Sequence, residues 1–357
     1  MITLAQMTKH AGEWLRGSGP HGEIVISSRV RLARNLAGFP FVGRSTKRQR
    51  HEALQRCREE ILGGDGRGLS KDILWVDLAQ STDLDRQLLV ERHLISRQHA
   101  QGNSDYPRAV AIDPDETWSI MVNEEDHMRV QVLRSGMQLT EAFEHINQVD
   151  NSLESGLDMA YSARWGYLTA CPTNVGTGIR VSVMLHLPAL KLTGEIEKVR
   201  RAARDMHLAV RGLFGEGSDA LGDLYQISNQ TTLGRSEQEI LADFEHTVVP
   251  QIISYEQQAR QALIKQRSTQ LDDKIWRAWG VLTHARFMTA EEVLQHLSHI
   301  RLGVNLARIN TVDIRTINEL FLLTQPGHLQ KLTNREMDSP TRREARANLI
   351  RTRLGVA

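Results

Sequence analysis

Cysteine is scarce in this 357-residue chain: Cys57 and Cys171 are the whole supply. Two thiols cannot form a disulfide framework, and no Cys/His spacing resembles a zinc site or another metal-ligand set. Long apolar runs are also missing. The longest are too short and too interrupted to cross a bilayer, and the amino terminus lacks the basic, apolar, small-residue order of a signal peptide, so a cytoplasmic protein with no membrane partner is expected. Net charge is only +1, which argues against a nucleic-acid partner. No Gly-x-x-x-x-Gly-Lys-Ser/Thr loop occurs. The glycine-rich stretch at 63–68 lacks dinucleotide-fingerprint spacing and reads as a flexible turn. Lysine is rare too: 8 of the 44 basic residues, leaving 36 arginines. Genomic composition or thermal adaptation explains that bias as easily as function does.

What is present suffices for one large domain and a smaller one. Hydrophobic content of 40% and charged content of 24% are ordinary for a soluble globular chain. Residues 24–32 read as a strand that places Arg29 and Arg31 on one face; the pair either converges on a ligand or pairs with surface carboxylates at a sheet edge. Residues 46–61 have helical spacing, with Cys57 inert among charged neighbours. A strand is expected at 72–78 and a helix at 85–95, the latter containing His93. A helix over 140–162, a strictly alternating strand at 179–187 with Arg180 on its polar face, a helix at 193–206, a strand delivering Arg211, and a strand at 224–229 follow. Ser236 and Glu239 form a capping box that opens a helix reaching about residue 267. Helices then occupy 271–285, 290–300 and 312–323, and Ser339-Pro340 opens a last one. A domain boundary is expected near residue 260.

Two stretches carry chemistry. Asn123-Glu124-Glu125-Asp126-His127-Met128-Arg129 separates two alternating apolar runs, so it belongs at a strand-to-strand connection. Like charges packed this closely call for a cation, although a polar hairpin tip is the plain alternative. Cys171 begins a loop, Pro172 to Gly178, whose glycines let the backbone approach a ligand. A thiol there is either a reactive thiolate or a buried structural cysteine. Five arginines, Arg29, Arg31, Arg129, Arg180 and Arg211, arise on or beside strands and, converged, would cradle a polyphosphate through paired hydrogen bonds. Carboxylates at Glu125 and Glu216 are left to handle something cationic. A guanidinium acceptor fits, because it attacks phosphorus only when a base orients it and takes its proton.

These strings, with Ser27-Ser28-Arg29-Val30-Arg31, Cys171-Pro172-Thr173-Asn174, Arg211-Gly212 through Glu216 and Ile227-Ser228-Asn229, resemble the phosphagen (guanidino) kinases, in family order across roughly residues 24–240. The resemblance implies an α+β fold: a phosphagen-kinase-like catalytic domain, residues 1–260, with an antiparallel sheet flanked by helices, and an all-helical C-terminal domain, residues 261–357, for phosphoarginine binding or dimerisation. It implies ATP and Mg²⁺ as cofactors. The ATP site would be lined by Ser27, Ser28, Arg29, Val30 and Arg31, by His93 and Arg129, by Arg180, Val181, Ser182, Val183 and Met184, and by Arg211, Gly212, Leu213, Phe214, Gly215 and Glu216. Glu125 and Glu216 match the family's substrate carboxylates, and Cys171 its reactive cysteine.

Only 26 residues precede Ser27, where phosphagen kinases carry a whole helical domain with a loop over the substrate. An open pocket is therefore expected, wide enough for an arginine on a protein. With the added C-terminal helices, the chain resembles the bacterial protein-arginine kinases, the McsB type. That branch carries an Arg-Asp-x-x-Arg-Ala motif that binds phosphoarginine; here it reads Arg342-Arg343-Glu344-Ala345-Arg346-Ala347, with Arg343 where the aspartate stands. The resemblance further implies protein substrates with exposed arginines, an activator protein, an AAA+ protease machine that degrades marked proteins in stress, and a homodimer. A small-molecule guanidino kinase and a non-catalytic phosphoarginine reader remain the rival readings.

Overall fold

The computed structural model describes residues 3–63, 69, 72–102, 106–213 and 220–356. Ten strands are formed among them: β1 (Val25–Arg34), β2 (Leu74–Asp77), β3 (Ala109–Ile112), β4 (Trp118–Val122), β5 (Met128–Ser135), β6 (Tyr161–Ser162), β7 (Gly166–Tyr167), β8 (Ile179–His186), β9 (Leu208–Arg211) and β10 (Leu224–Asn229). Eight build one sheet in the order β2-β3-β4-β5-β1-β8-β10-β9, every described pairing antiparallel, while β6 and β7 form a small separate hairpin.

Residues opposite each other in an antiparallel ladder share a face. Val30 faces Val132 and Val181, and Ile227 faces Val183. These apolar residues are buried together with Leu139, Ala142, Ile146 and Val149 of the helix Leu139–Glu154, whose i, i+3, i+4, i+7 stripe lies across the back of β1 and β5. At one end of the other face, the helix Asp83–Glu91 packs Leu89 against Met121, Val110 and Val76. The rest of that second face is left for the site.

Several boundaries differ from the sequence expectations. The helix expected over 140–162 ends at Glu154, because the chain turns to pair Met159 with Leu36 and then forms the β6–β7 hairpin. The long helix expected from 236 is Glu237–Asp243, a wide π-turn over 244–248, and Val249–Gln266, with Pro250 in the first turn of the last piece. Proline supplies no N–H to the ladder, so the turn opens there. A helix at Pro326–Thr333 and the strand β3 were not anticipated.

Residue 260 lies inside the helix Val249–Gln266. The C-terminal helices do not stand apart from the sheet. Ile275, Leu297, Ile300 and Leu320 belong to the same buried cluster as Val181 and Val183. Arg301, fully buried, donates to the carbonyls of Gly22 (2.5 Å) and Glu23 (3.0 Å) and to Asn318 Oδ1 (3.1 Å).

Candidate active site

The ladder register puts the polar residues on one patch of the sheet. Arg31 stands between Gln131 and Arg180, Arg29 between Leu133 and Ser182, and Gln226 opposite both Met184 and Arg211. A cavity of about 500 Å³ opens over this patch, lined by all five arginines, His93, Glu125 and Cys171, with Arg97, Gln131, Asn174 and Gln226 between them. Arg29 donates to Gln226 Oε1 at 2.8 Å, and Arg180 to Asn174 Oδ1 and the Asn229 carbonyl, each at 3.2 Å. Burial lowers the Arg29 guanidinium to about 10, with Arg129, Arg180 and Arg211 adding repulsion. Burial and neighbouring arginines likewise push Arg31 well down and lower Arg180. Arg31 Nε is buried without a hydrogen-bond partner among the described residues. Among the described residues this cluster has more positive than negative charge, which suits an anion with several oxygens.

Other residues of the expected nucleotide set fall elsewhere. Ser27, Ser182 and Met184 line a small recess beside the cavity with Arg29 and His93. Ser28, Val30, Val181 and Val183 alternate to the back of the sheet: the three valines are in the core, and Ser28 Oγ donates to the Gly136 carbonyl at 2.8 Å. Their side chains therefore do not reach the cavity, as the period of two in a strand requires. Leu213 is likewise packed in the core beside Gly212. Phe214, Gly215 and Glu216 lie outside the described residues, so the second carboxylate is not placed.

His93 is not inside a helix. The helix ends at Glu91, Leu94 N–H returns to the Leu89 carbonyl (3.0 Å), and His93 takes φ +59°, the left-handed position of a Schellman cap. Its ring meets Trp14 edge-on at 4.4 Å, and burial with the charges of Arg29 and Arg97 lowers it to about 3, so it is neutral.

The acidic run separates on folding. Asn123, with φ +59°, donates to the carbonyls of Arg50 and Pro107. Asp126 and His127 are fully buried: Asp126 Oδ1 accepts from Asn35 Nδ2 (2.6 Å) and Ala170 N (2.7 Å), and His127 Nδ1 accepts from Leu36 N (3.1 Å). Burial raises the Asp126 carboxyl against the lowering effect of those bonds. Glu124 is buried between Arg129 Nη1 and Ser96 Oγ; burial pushes its carboxyl up, and Arg129 with Ser96 outweighs that, so it is lowered overall. Of the acidic side chains in the run Glu125 lines the cavity, half-exposed and held at 2.8 Å by Nη2 of Arg129, which lines it too.

Cys171 is half-buried at the cavity wall, 3.1 Å from Thr173 Oγ1. Its loop is pinned from both sides. Asp126 holds Ala170, Asn35 holds the Leu168 carbonyl, Thr169 Oγ1 donates to the Cys171 carbonyl, and Thr232 Oγ1 donates to the Val175 carbonyl. The Cys57 thiol, buried in the core, is pushed up to about 12 and is inert. The sequence reading overlooked Gln131, Gln226, Asn174, Ser96 and Arg97. Alternation from Arg129 and from Ser228 would have found the two glutamines.

In the C-terminal motif, Arg346 is buried and donates to the carbonyls of Thr324 (2.7 Å) and Met288 (3.0 Å), while Ala347 is in the core. Arg346 therefore faces inward and holds main chain. Arg342 donates to the Met337 carbonyl, Arg343 lies over the Phe287 ring at 5.3 Å, Ala345 is half-buried and Glu344 is exposed.

Residues 63–259 match the ATP:guanido phosphotransferase C-terminal catalytic domain. Residues 268–357 match the protein-arginine kinase McsB C-terminal domain. A curated protein-arginine kinase of Halothermothrix orenii is 44% identical over 98% of both chains, and one of Symbiobacterium thermophilum is 46% identical over 98% of both. Among solved structures, lombricine kinase superposes with TM-score 0.57 at 28% identity over 71% of each chain. A duplicated taurocyamine kinase of Schistosoma mansoni, solved with bound transition-state-analogue components, gives 0.59 at 26% identity over 72% of this chain and 36% of that one. The chain belongs to the protein-arginine kinase family, a phosphotransferase branch of the guanidino kinases. Among the described residues no helix is long and apolar enough to cross a membrane.

Proposed function

We propose that this chain transfers the γ-phosphoryl group of ATP to arginine side chains of proteins. The observation that carries the reading is the one cavity that gathers five arginines, Glu125 and Cys171 on a single sheet face. Arg29, Arg31, Arg129, Arg180 and Arg211 would hold the phosphates and stabilise charge on the group in flight. Glu125, half-exposed beside Arg129, would orient the acceptor guanidinium and take its proton, with Glu216 as the second carboxylate. Cys171, which lines the same cavity, would attract the cationic acceptor electrostatically. Mg²⁺ would arrive on the nucleotide, since no group of three His, Cys, Asp or Glu suited to an ion occurs among the described residues. When bound it neutralises phosphate charge.

To the same reading belong a catalytic part up to about residue 260 and a helical part after it, a homodimer, a cytoplasmic location, an activator protein and a protease machine that consumes marked proteins under stress. A residual phosphoarginine contact in the C-terminal helix would fall to Arg342 and Arg343, since Arg346 faces inward. The test is an initial-rate comparison of an unfolded arginine-rich protein with free arginine as acceptors, with ATP and Mg²⁺ present. Transfer to the protein supports the reading; transfer to free arginine alone would make this a small-molecule guanidino kinase.

A further inference from the structure

The cavity wall formed by residues 93–97 is not held by the sheet alone. Glu91, the last residue of its helix, turns its carboxylate to the amino end of the C-terminal helix Pro326–Thr333. There it accepts from Gly327 N (2.7 Å), His328 N (2.9 Å) and His328 Nδ1 (2.7 Å). Arg92 is completely buried, bidentate to Glu116 at 2.8 and 2.5 Å, and bonded to the His10 carbonyl. Its Nη1 also lies 3.1 Å from His328 Nε2. A guanidinium only donates, so Nε2 accepts and the imidazole proton sits on Nδ1, toward Glu91. His328 is therefore fixed as one neutral tautomer between an acid and a base from the catalytic part. The next residue is His93, and His93, Ser96 and Arg97 line the arginine cavity. Val90 and Arg97 also line a second cavity of about 570 Å³, whose lining includes Gln325 and Pro326.

We propose that His328 is a positioning residue: through Glu91 and Arg92 it sets the wall at 93–97, so the C-terminal helices govern the nucleotide side of the site more than the acceptor side. The inference rests on the assignment of ATP to the arginine cradle. The acceptor side hangs from other supports, Asn35 and Asp126 around the Cys171 loop and the β4–β5 connection. The wall at 93–97 itself meets the β4–β5 connection through the Ser96–Glu124 bond, while Arg129 ties Glu125, and Arg180 ties Asn174, to the arginine cradle.

The experiment measures equilibrium ATP binding in the absence of acceptor, and then KM for ATP and for an unfolded protein acceptor, in the full-length protein. His328→Leu removes both bonds, and about a tenfold weakening of ATP binding is expected, with the acceptor KM moved by less than about twofold. His328→Gln, which offers a donor and an acceptor, should restore binding to within about threefold. Should His328→Leu not fold, Gly327→Ala serves instead: a methyl there would stand 2.8 Å from Glu91 Oε2 and displace the carboxylate without removing a partner. Lys331→Met breaks the Lys331–Asp85 pair at the same junction, outside the relay, and should leave ATP binding unchanged. ATP binding as tight as wild type in His328→Leu or Gly327→Ala, or equal losses for ATP and acceptor, would overturn the inference. A wild type that binds ATP but phosphorylates no arginine would overturn the acceptor assignment alone.

Discussion

At the scale of single residues, the account turns on which members of the acidic run face the cavity. Glu125 does, and Glu125→Gln keeps its size while removing the base. A fall in kcat of about 10² to 10⁴-fold is expected, with ATP binding retained. An activity within threefold of wild type would remove Glu125 from the proton-transfer step. His127 supplies a second test. Its Nδ1 accepts from the Leu36 N–H, so protonation would set two N–H groups against each other. Burial lowers it to about 4. The folded state therefore binds fewer protons than the unfolded one between pH 6.5 and about 4. Stability is fully present above 6.5 and is lost as pH falls through that window, by about 2 kcal/mol at pH 5. Urea unfolding at pH 7.5 and pH 5 measures the loss, and His127→Asn should remove that part of it. An unchanged slope in the variant would contradict the assignment.

Much of this was legible residue by residue. Alternation in β1, β5 and β8 told which arginines share a face, because a strand has a period of two and needs no knowledge of its partners. The inward turn of Asp126 and His127 was not legible. It depends on Asn35 and Ala170, which lie 91 and 44 positions from Asp126 in the chain. Nothing local distinguishes those two side chains from Glu125.

At the scale of elements, strands and capped helices were the readable parts. Ser236 with Glu239 sits where the signal puts it, whereas the last helix is capped by Asp338, one residue before the Ser339 expected to cap it. The cap that presents His93 was not readable, since a histidine occupies the left-handed position where glycine is usual. The loop from Cys171 to Arg180 depends on a similar device. Gly178 has φ +70°, and a Cβ there would stand 2.7 Å from the Ala33 carbonyl oxygen, which is backbone and cannot yield cheaply. Gly178→Ala should cost about 1–3 kcal/mol in urea unfolding and lower turnover, because it shifts the loop that joins Cys171 to Arg180. Unchanged stability and turnover together would show that the loop tolerates the shift.

At the scale of the whole molecule, the sequence suggested two parts and the structure joins them through one core. Apolar residues of four of the last five helices, all but Pro326–Thr333, belong to the buried cluster that backs the sheet, and Arg301, Arg92 and Glu91 cross the junction with hydrogen bonds. Burial on that scale is worth about 25 cal/mol per Å² of apolar surface. A chain ending at residue 267 should therefore expose the back of the core and aggregate. Size-exclusion chromatography would decide, and a soluble, cooperatively unfolding fragment would contradict the single-core picture.

The central claim is that this cavity places a phosphoryl group on arginine nitrogen within proteins. The most direct measurement is mass spectrometry, without acid treatment, of an arginine-rich protein incubated with the kinase, ATP and Mg²⁺. Phosphate on arginine, absent with Glu125→Gln, is the predicted result. Phosphate on serine, threonine or tyrosine, or on no side chain while free arginine is consumed, would contradict it.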